Sequence, residues 1–148
     1  MSIYRRILLA LELNENSSAL ARRAQALAQT LGAELELLHV VEYVPVEPMG
    51  ESLMPAVQIE EELLARARRE LDALATELGL PADACRLEAG NVKAEIVRIA
   101  RERDIDLIVL STRERHGLSI LVNLTEDTVL HAAPCDVLAL RIGRSATR

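Results

Sequence analysis

The stretch that decides the fold runs from Ile105 to Leu140 and reads IDLIVLSTRERHGLSILVNLTEDTVLHAAPCDVLAL. An aliphatic run, Ile105–Leu110, has the character of a strand buried on both faces. A polar loop follows at Ser111–Leu118, then a helix at Leu121–Ala132. Pro134 marks the turn into a last strand, Cys135–Leu140. A loop that leaves the carboxyl end of a strand and enters a helix is where doubly wound α/β proteins hold phosphates.

Working outward, strands and helices alternate along the rest of the chain. Ile7–Leu13 is an aliphatic strand. Asn14–Ser18 is a polar turn offering Asn16 and Ser17 as helix caps. Leu20, Ala24, Leu27, Ala28 and Leu31 recur at helical spacing over Ala19–Leu31, and Gly32 fits a C′ stop. Ala33–Val41 reads as a second strand with Glu34 and Glu36 on its other face. Tyr43–Pro55 reads as a long surface loop. Val57–Leu78 carries an apolar stripe at Ile59, Leu63, Ala67, Leu71, Leu74 and Leu78. Its charges, among them Glu60, Arg66 and Glu70, read as a solvated face. Ala84–Ala89 is a short strand ended by Gly90, and Asn91 caps a helix over Val92–Arg103. Such alternation with short links implies a parallel sheet with right-handed crossovers. Periodicity leaves the strand order open.

The chain has 148 residues, enough for one domain with a real core. We read residues 1–143 as that domain and 144–148 as a tail. There is no Trp or Phe and there are only two Tyr, so Leu, Val, Ile and Ala must build the core. The lack of aromatic platforms argues against single-stranded nucleic acid as a partner. The formal net charge of −6 argues against a phosphate-backbone footprint. Cys85 and Cys135 read as small buried apolar residues in a reducing compartment. MSIYRRILLALEL has no long apolar core or small-residue cleavage site. The expectation is therefore a cytoplasmic protein with no membrane partner.

ERHGL at 114–118, the aliphatic run ILV at 120–122, VLHAAPC at 129–135 and DVLALR at 136–141 together resemble the universal stress protein family. RRILLALELNENSSALARRAQALA at the amino end resembles that family's first strand and helix, and HVVE at 39–42 its second strand end. The resemblance implies an α/β fold with a five-stranded parallel sheet of order 3-2-1-4-5 and helices on both faces. Such folds are Rossmann-like and similar to the adenine nucleotide alpha hydrolases. The crevice at the switch point would be lined by Ala10, Leu11, Glu12 and Leu13, by Val40, Val41 and Glu42, by Gly90 and by the Ser111–Thr125 loop. The family's Asp at the end of strand one is matched by Glu12, and the Val41 backbone would meet adenine. ATP is the cofactor the resemblance makes possible.

The family's nucleotide motif is a Gly, two residues, a second Gly, eight or nine residues, then Gly-Ser. Ser111, Glu114, Asn123 and Leu124 stand at those positions; Gly117 lies outside them. A phosphate site wants glycine because main-chain N–H groups must approach the oxygens and some positions need φ > 0. Asn123 is the best substitute at a left-handed position. A Glu114 carboxylate about 4 Å from a phosphate costs on the order of 4 kcal/mol at an effective dielectric near 20. Leu124 removes a hydroxyl, although Thr125 still offers one near a helix N-terminus. Arg113 and Arg115 flank Glu114 and are able to bind an anion, or simply to pair with nearby acids.

Two readings lead, and a hydrolase acting on the bound nucleotide stands third. One is a non-catalytic stress-response homodimer that binds ATP weakly or not at all. The other is a nucleotide-binding regulatory module with a rebuilt loop using Arg113, Arg115, Thr125 and Glu12. No Ser/His/Asp set, GxSxG, HExxH or GxxxxGK[ST] argues for an enzyme, and no metal site is indicated. The fifth strand, with Asp136, Val137, Leu138, Ala139 and Leu140, is an aliphatic edge with only a short tail after it. A two-fold dimer through that edge is expected, with an unidentified protein as a further partner.

Overall fold

A computed structural model describes residues 3–42, 53–113 and 129–142. Its first strand, β1 (Arg6–Leu11), is the aliphatic run of the amino end, and Ile7, Leu8 and Leu9 are fully buried. Helix α1 (Ser17–Leu31) follows, then β2 (Glu34–Glu42), α2 (Leu53–Leu78), β3 (Cys85–Gly90), α3 (Val92–Glu102), β4 (Leu107–Arg113) and β5 (Asp136–Ile142). The five strands form one parallel sheet of order β3-β2-β1-β4-β5.

Alternate residues of each strand feed opposite faces. Ile7, Leu9 and Leu11 pack with Leu20, Ala24, Leu71 and Leu74, so α1 and α2 cover one face. Leu8, Leu38 and Ile108 pack with Ile96, Ile99 and Val129 on the other. Val129 opens a helical turn at 129–132, the described end of the helix expected over Leu121–Ala132. Burial on both faces explains why the strands read as unbroken aliphatic runs.

Local signals set the ends. Gly32 adopts φ 67° and its N–H reaches the Ala28 and Gln29 carbonyls, a left-handed stop that favours glycine. Asn91 Oδ1 accepts from Ala94 N–H at 3.0 Å and starts α3. At the start of α1 the cap differs from expectation. Asn16 holds the N-cap position without a side-chain bond. The turn is closed instead by Asn14 Oδ1 on Asn16 N–H at 2.9 Å and Ser17 Oγ on Asn14 N–H at 2.8 Å.

Three expectations are corrected. Pro55 lies inside the first turn of α2, where its missing N–H costs nothing, rather than in a loop. Ile59 and Leu63 belong to the apolar stripe, yet they are 57% and 49% exposed; the part of α2 that buries the stripe starts at Ala67. Glu36 lies on the face opposite Leu35 and Leu37, as expected, and is buried there. It is 6% exposed and accepts from Arg103 Nε at 2.9 Å. Arg86 Nε stands 3.7 Å from the same carboxylate. Finally, β4 and β5 outrun their aliphatic letters, because Thr112 pairs with Arg141 and Arg113 with Ile142.

Asp106 clasps the start of the sheet. Its carboxylate accepts from the Arg5 and Arg6 amides at 2.8 and 2.9 Å, across a hundred residues of chain. These amide bonds hold its pKa below the ordinary aspartate value. A folded pKa below the unfolded one gives stability that is present at neutral pH and lost as pH falls through the acid range. Asp106→Ala is expected to lower stability by about 1–2 kcal/mol at pH 7. Urea melts of both proteins should converge as the pH is lowered.

Candidate functional site

The strands part at their carboxyl ends. The β1–β4 ladder stops at Leu9 opposite Val109. β1 stays with β2 as far as Leu11 opposite His39, and β4 stays with β5 to Arg113 opposite Ile142. The opening between Ala10 and Leu110 is the topological switch point of the sheet, where ligands enter open α/β folds.

Beside it lies a crevice of about 300 Å³, bounded by Ala10, Leu11 and Glu12 of the β1 end, by Val40 and Glu42 of β2, and by Asn91 and Lys93 of α3. The floor is aliphatic, from Leu38, Val92 and Ile96. Glu12 is exposed and accepts weakly from Asn14 Nδ2 at 3.5 Å. Leu13, next along, sits at φ 57°, which is uncommon without a glycine. His39 Nδ1 is 2.7 Å from the Leu11 carbonyl. A carbonyl only accepts, so the proton is on Nδ1, and the ring ties β2 to the last carbonyl of β1.

Of the residues expected at the site, Ala10, Leu11 and Glu12 line the crevice together. Val41 and Gly90 stand beside it; Val41 pairs with Ala89, and Gly90 with Glu42. Ser111 is not at the start of a loop: it is half-buried in β4, opposite Leu140. The Arg113 main chain ends that strand. Glu114, Arg115, Gly117, Asn123, Leu124 and Thr125 lie outside the described residues, as does His116. Val40 and Glu42, also expected at the crevice, line it too, whereas sequence reasoning missed Lys93. Lys93 is the only cation among the described lining residues, against the carboxylates of Glu12 and Glu42. The signal available for it was its place two residues after the Asn91 cap.

Among the described residues no group of three or more His, Cys, Asp and Glu side chains could hold a metal ion. No described helix is long and apolar enough to cross a membrane. Cys85 and Cys135 are free thiols belonging to opposite faces of the sheet, and burial pushes both pKa values up. Along β5, Asp136 and Ala139 are exposed while Val137, Leu138 and Leu140 are half-buried. Among the described residues β4 alone pairs with it. Tyr4 Oη donates to Asp136 at 2.9 Å, and Arg23 Nη1 to the Arg141 carbonyl at 3.0 Å.

Residues 3–141 match the model of the universal stress protein family. Universal stress protein A homolog 2 of Coxiella burnetii is 34% identical over 143 residues, which is 96% of this chain and 98% of that protein. A solved universal stress protein from Pseudomonas aeruginosa superposes with a TM-score of 0.72 at 23% identity, covering 95% of this chain. This chain spans about half, 49%, of that protein's length. A universal stress protein solved in complex with cAMP superposes with a TM-score of 0.59 at 18% identity, over 93% of this chain and 97% of its own.

Proposed function

The chain belongs to the universal stress protein family, and from that premise we propose that it is a non-catalytic regulatory homodimer in which ATP binds weakly or not at all. The observation that carries this reading is the residue set Ser111, Glu114, Asn123 and Leu124, which stands where the family's phosphate loop has glycines and a serine. Side chains there block the close main-chain approach that a triphosphate needs, and Glu114 adds repulsion. The described crevice adds to it, with Glu12 and Glu42 against Lys93. Ser111 adds more, since its main chain belongs to the β4–β5 ladder.

The dimer forms through β5. An aliphatic edge of Val137, Leu138, Ala139 and Leu140 pairs with its copy across a two-fold axis and so removes the exposed edge. The protein works in the cytoplasm, where Cys85 and Cys135 stay reduced, and its signal passes to another protein. Native mass spectrometry of the purified chain tests both parts at once. The expected spectrum is a two-chain mass without an ATP adduct, shifted to one chain by Ala139→Lys, which sets like charges across the axis. A one-chain mass for the unmodified protein, or a retained ATP, contradicts it.

A second reading, a nucleotide-binding regulatory module with a rebuilt loop, is favoured by the cAMP complex of a structural neighbour. It uses Arg113, Arg115, Thr125 and Glu12. Loss of nucleotide affinity in Arg115→Ala would support this second reading over the first.

A further inference from the structure

The sheet is incomplete at the end opposite the crevice. Glu34 N–H donates to the Arg5 carbonyl at 2.8 Å, which fixes the parity of β2. Along a strand, the N–H and C=O of one residue point to one side and those of the next residue to the other. Glu34 and Glu36 therefore turn their main chain to β1, while Leu35 and Leu37 turn theirs to β3. The β3 ladder, however, begins with Cys85 opposite Leu37. No β3 residue stands opposite Leu35. The chain leading to β3 instead coils into a 3-10 turn at Ala82–Ala84, whose Ala84 N–H donates to the Pro81 carbonyl at 3.0 Å.

One main-chain donor and one acceptor of Leu35 thus point between β2 and this turn. A cleft of about 410 Å³ occupies that place, and Leu35 lines it. Gln25 and Gln29 of α1 contribute to its wall, with Asp83 on the turn and Arg103 beyond α3. Leu35 is 7% exposed. Main-chain polar groups at such depth are nearly always satisfied by something.

The charges of the cleft select among ligands. Arg103 is neutralised by Glu36, with Nε and Nη2 each 2.9 Å from the same oxygen. Glu34 lies 3.9 Å from Arg6. Asp83 lines the cleft with no ion pair among the described residues. The cleft therefore offers a donor and an acceptor side by side, and one carboxylate without a counter-charge. An anion is disfavoured there, and a cation is welcome.

We propose that this cleft binds a cationic α-amino amide, whose carbonyl accepts from Leu35 N–H, whose N–H donates to the Leu35 carbonyl, and whose ammonium faces Asp83. The same groups are presented by a free amino-acid amide, through the carbonyl and the cis N–H of its primary amide, and by the start of a peptide, through its first carbonyl and the N–H of its third unit. The site is separate from the switch-point crevice and independent of whether that crevice takes nucleotide.

Amide-proton correlation spectra of the full chain, titrated with glycinamide and in parallel with glycylglycinamide, test the proposal. The expected result is a saturable shift of the Leu35, Asp83 and Ala84 signals at millimolar ligand. Saturation by both compounds points to the terminal α-amino amide itself, and saturation by glycylglycinamide alone to a peptide source. Asp83→Asn, an exposed change that leaves the fold intact, should weaken binding about two- to fivefold. Acetamide, without the ammonium, should bind more weakly than glycinamide. Shifts that do not saturate, shifts of equal size with acetate, an unchanged affinity in Asp83→Asn, or shifts confined to Glu12 and Lys93 would each overturn the proposal.

Discussion

Replacing Arg103 by methionine is expected to destabilise the fold by about 2–3 kcal/mol, a large share of what a domain of this size has. Glu36 reaches into the sheet with its side chain 8% exposed, and Arg103 gives it a hydrogen bond from Nε and an ion-pair contact from Nη2, each at 2.9 Å. Without Arg103 the carboxylate is left with Arg86, whose Nε is 3.7 Å away and makes no hydrogen bond. The cost falls below that of a fully buried pair because the Arg103 side chain is 36% exposed. The double change Glu36→Leu with Arg103→Met should recover most of the loss, because an apolar pair in such a place does about as well as an ion pair. Urea unfolding measures both. The account requires the double variant to be more stable than Arg103→Met at an unchanged m-value. A double variant that is the sum of two losses contradicts it.

The second large effect is a gain. The triple change Glu114→Gly, Asn123→Gly and Leu124→Ser should raise Mg-ATP affinity by on the order of a hundredfold. Removing the carboxylate supplies most of it. The new serine returns a hydroxyl, and the glycines let main-chain N–H groups close on the phosphates. Ser111 is left alone in this design for a structural reason. It pairs with Leu140 in the β4–β5 ladder, and glycine inside a strand weakens it. Isothermal titration of the triple variant beside the parent measures the gain. Equal affinity in the two proteins would mean that loop chemistry is not what governs ATP.

Much of this architecture could be read from the residues, and the reasons can be given element by element. Ile7–Leu11 and Ile105–Leu110 are unbroken aliphatic letters because both faces of a parallel sheet are covered. Gly32 and Asn91 announced the end of α1 and the start of α3, since each of those positions has a backbone requirement that few residues meet. The strand order came from the resemblance, because the spacing of apolar letters carries no information on which strands are neighbours.

Other features were illegible for physical reasons. Glu36 looks like the solvent side of an alternating strand, and only the fold brings it Arg103, 67 residues away. Thr112 and Arg113 look like loop, yet β5 beside them extends the ladder. Ile59 and Leu63 continue the apolar period of α2 past the point where the sheet gives it something to cover. At the site, Ala10, Leu11 and Glu12 were legible as the end of β1. So was Glu42 at the end of β2, whereas Lys93 was not, because its approach depends on where α3 starts in space.

The central claim is that side chains and negative charge occupy the place where a triphosphate requires bare main chain. Titration of the unmodified protein with Mg-ATP in a calorimeter tests it most directly. The account predicts no saturable heat across the micromolar range. A saturable isotherm with micromolar affinity would contradict it.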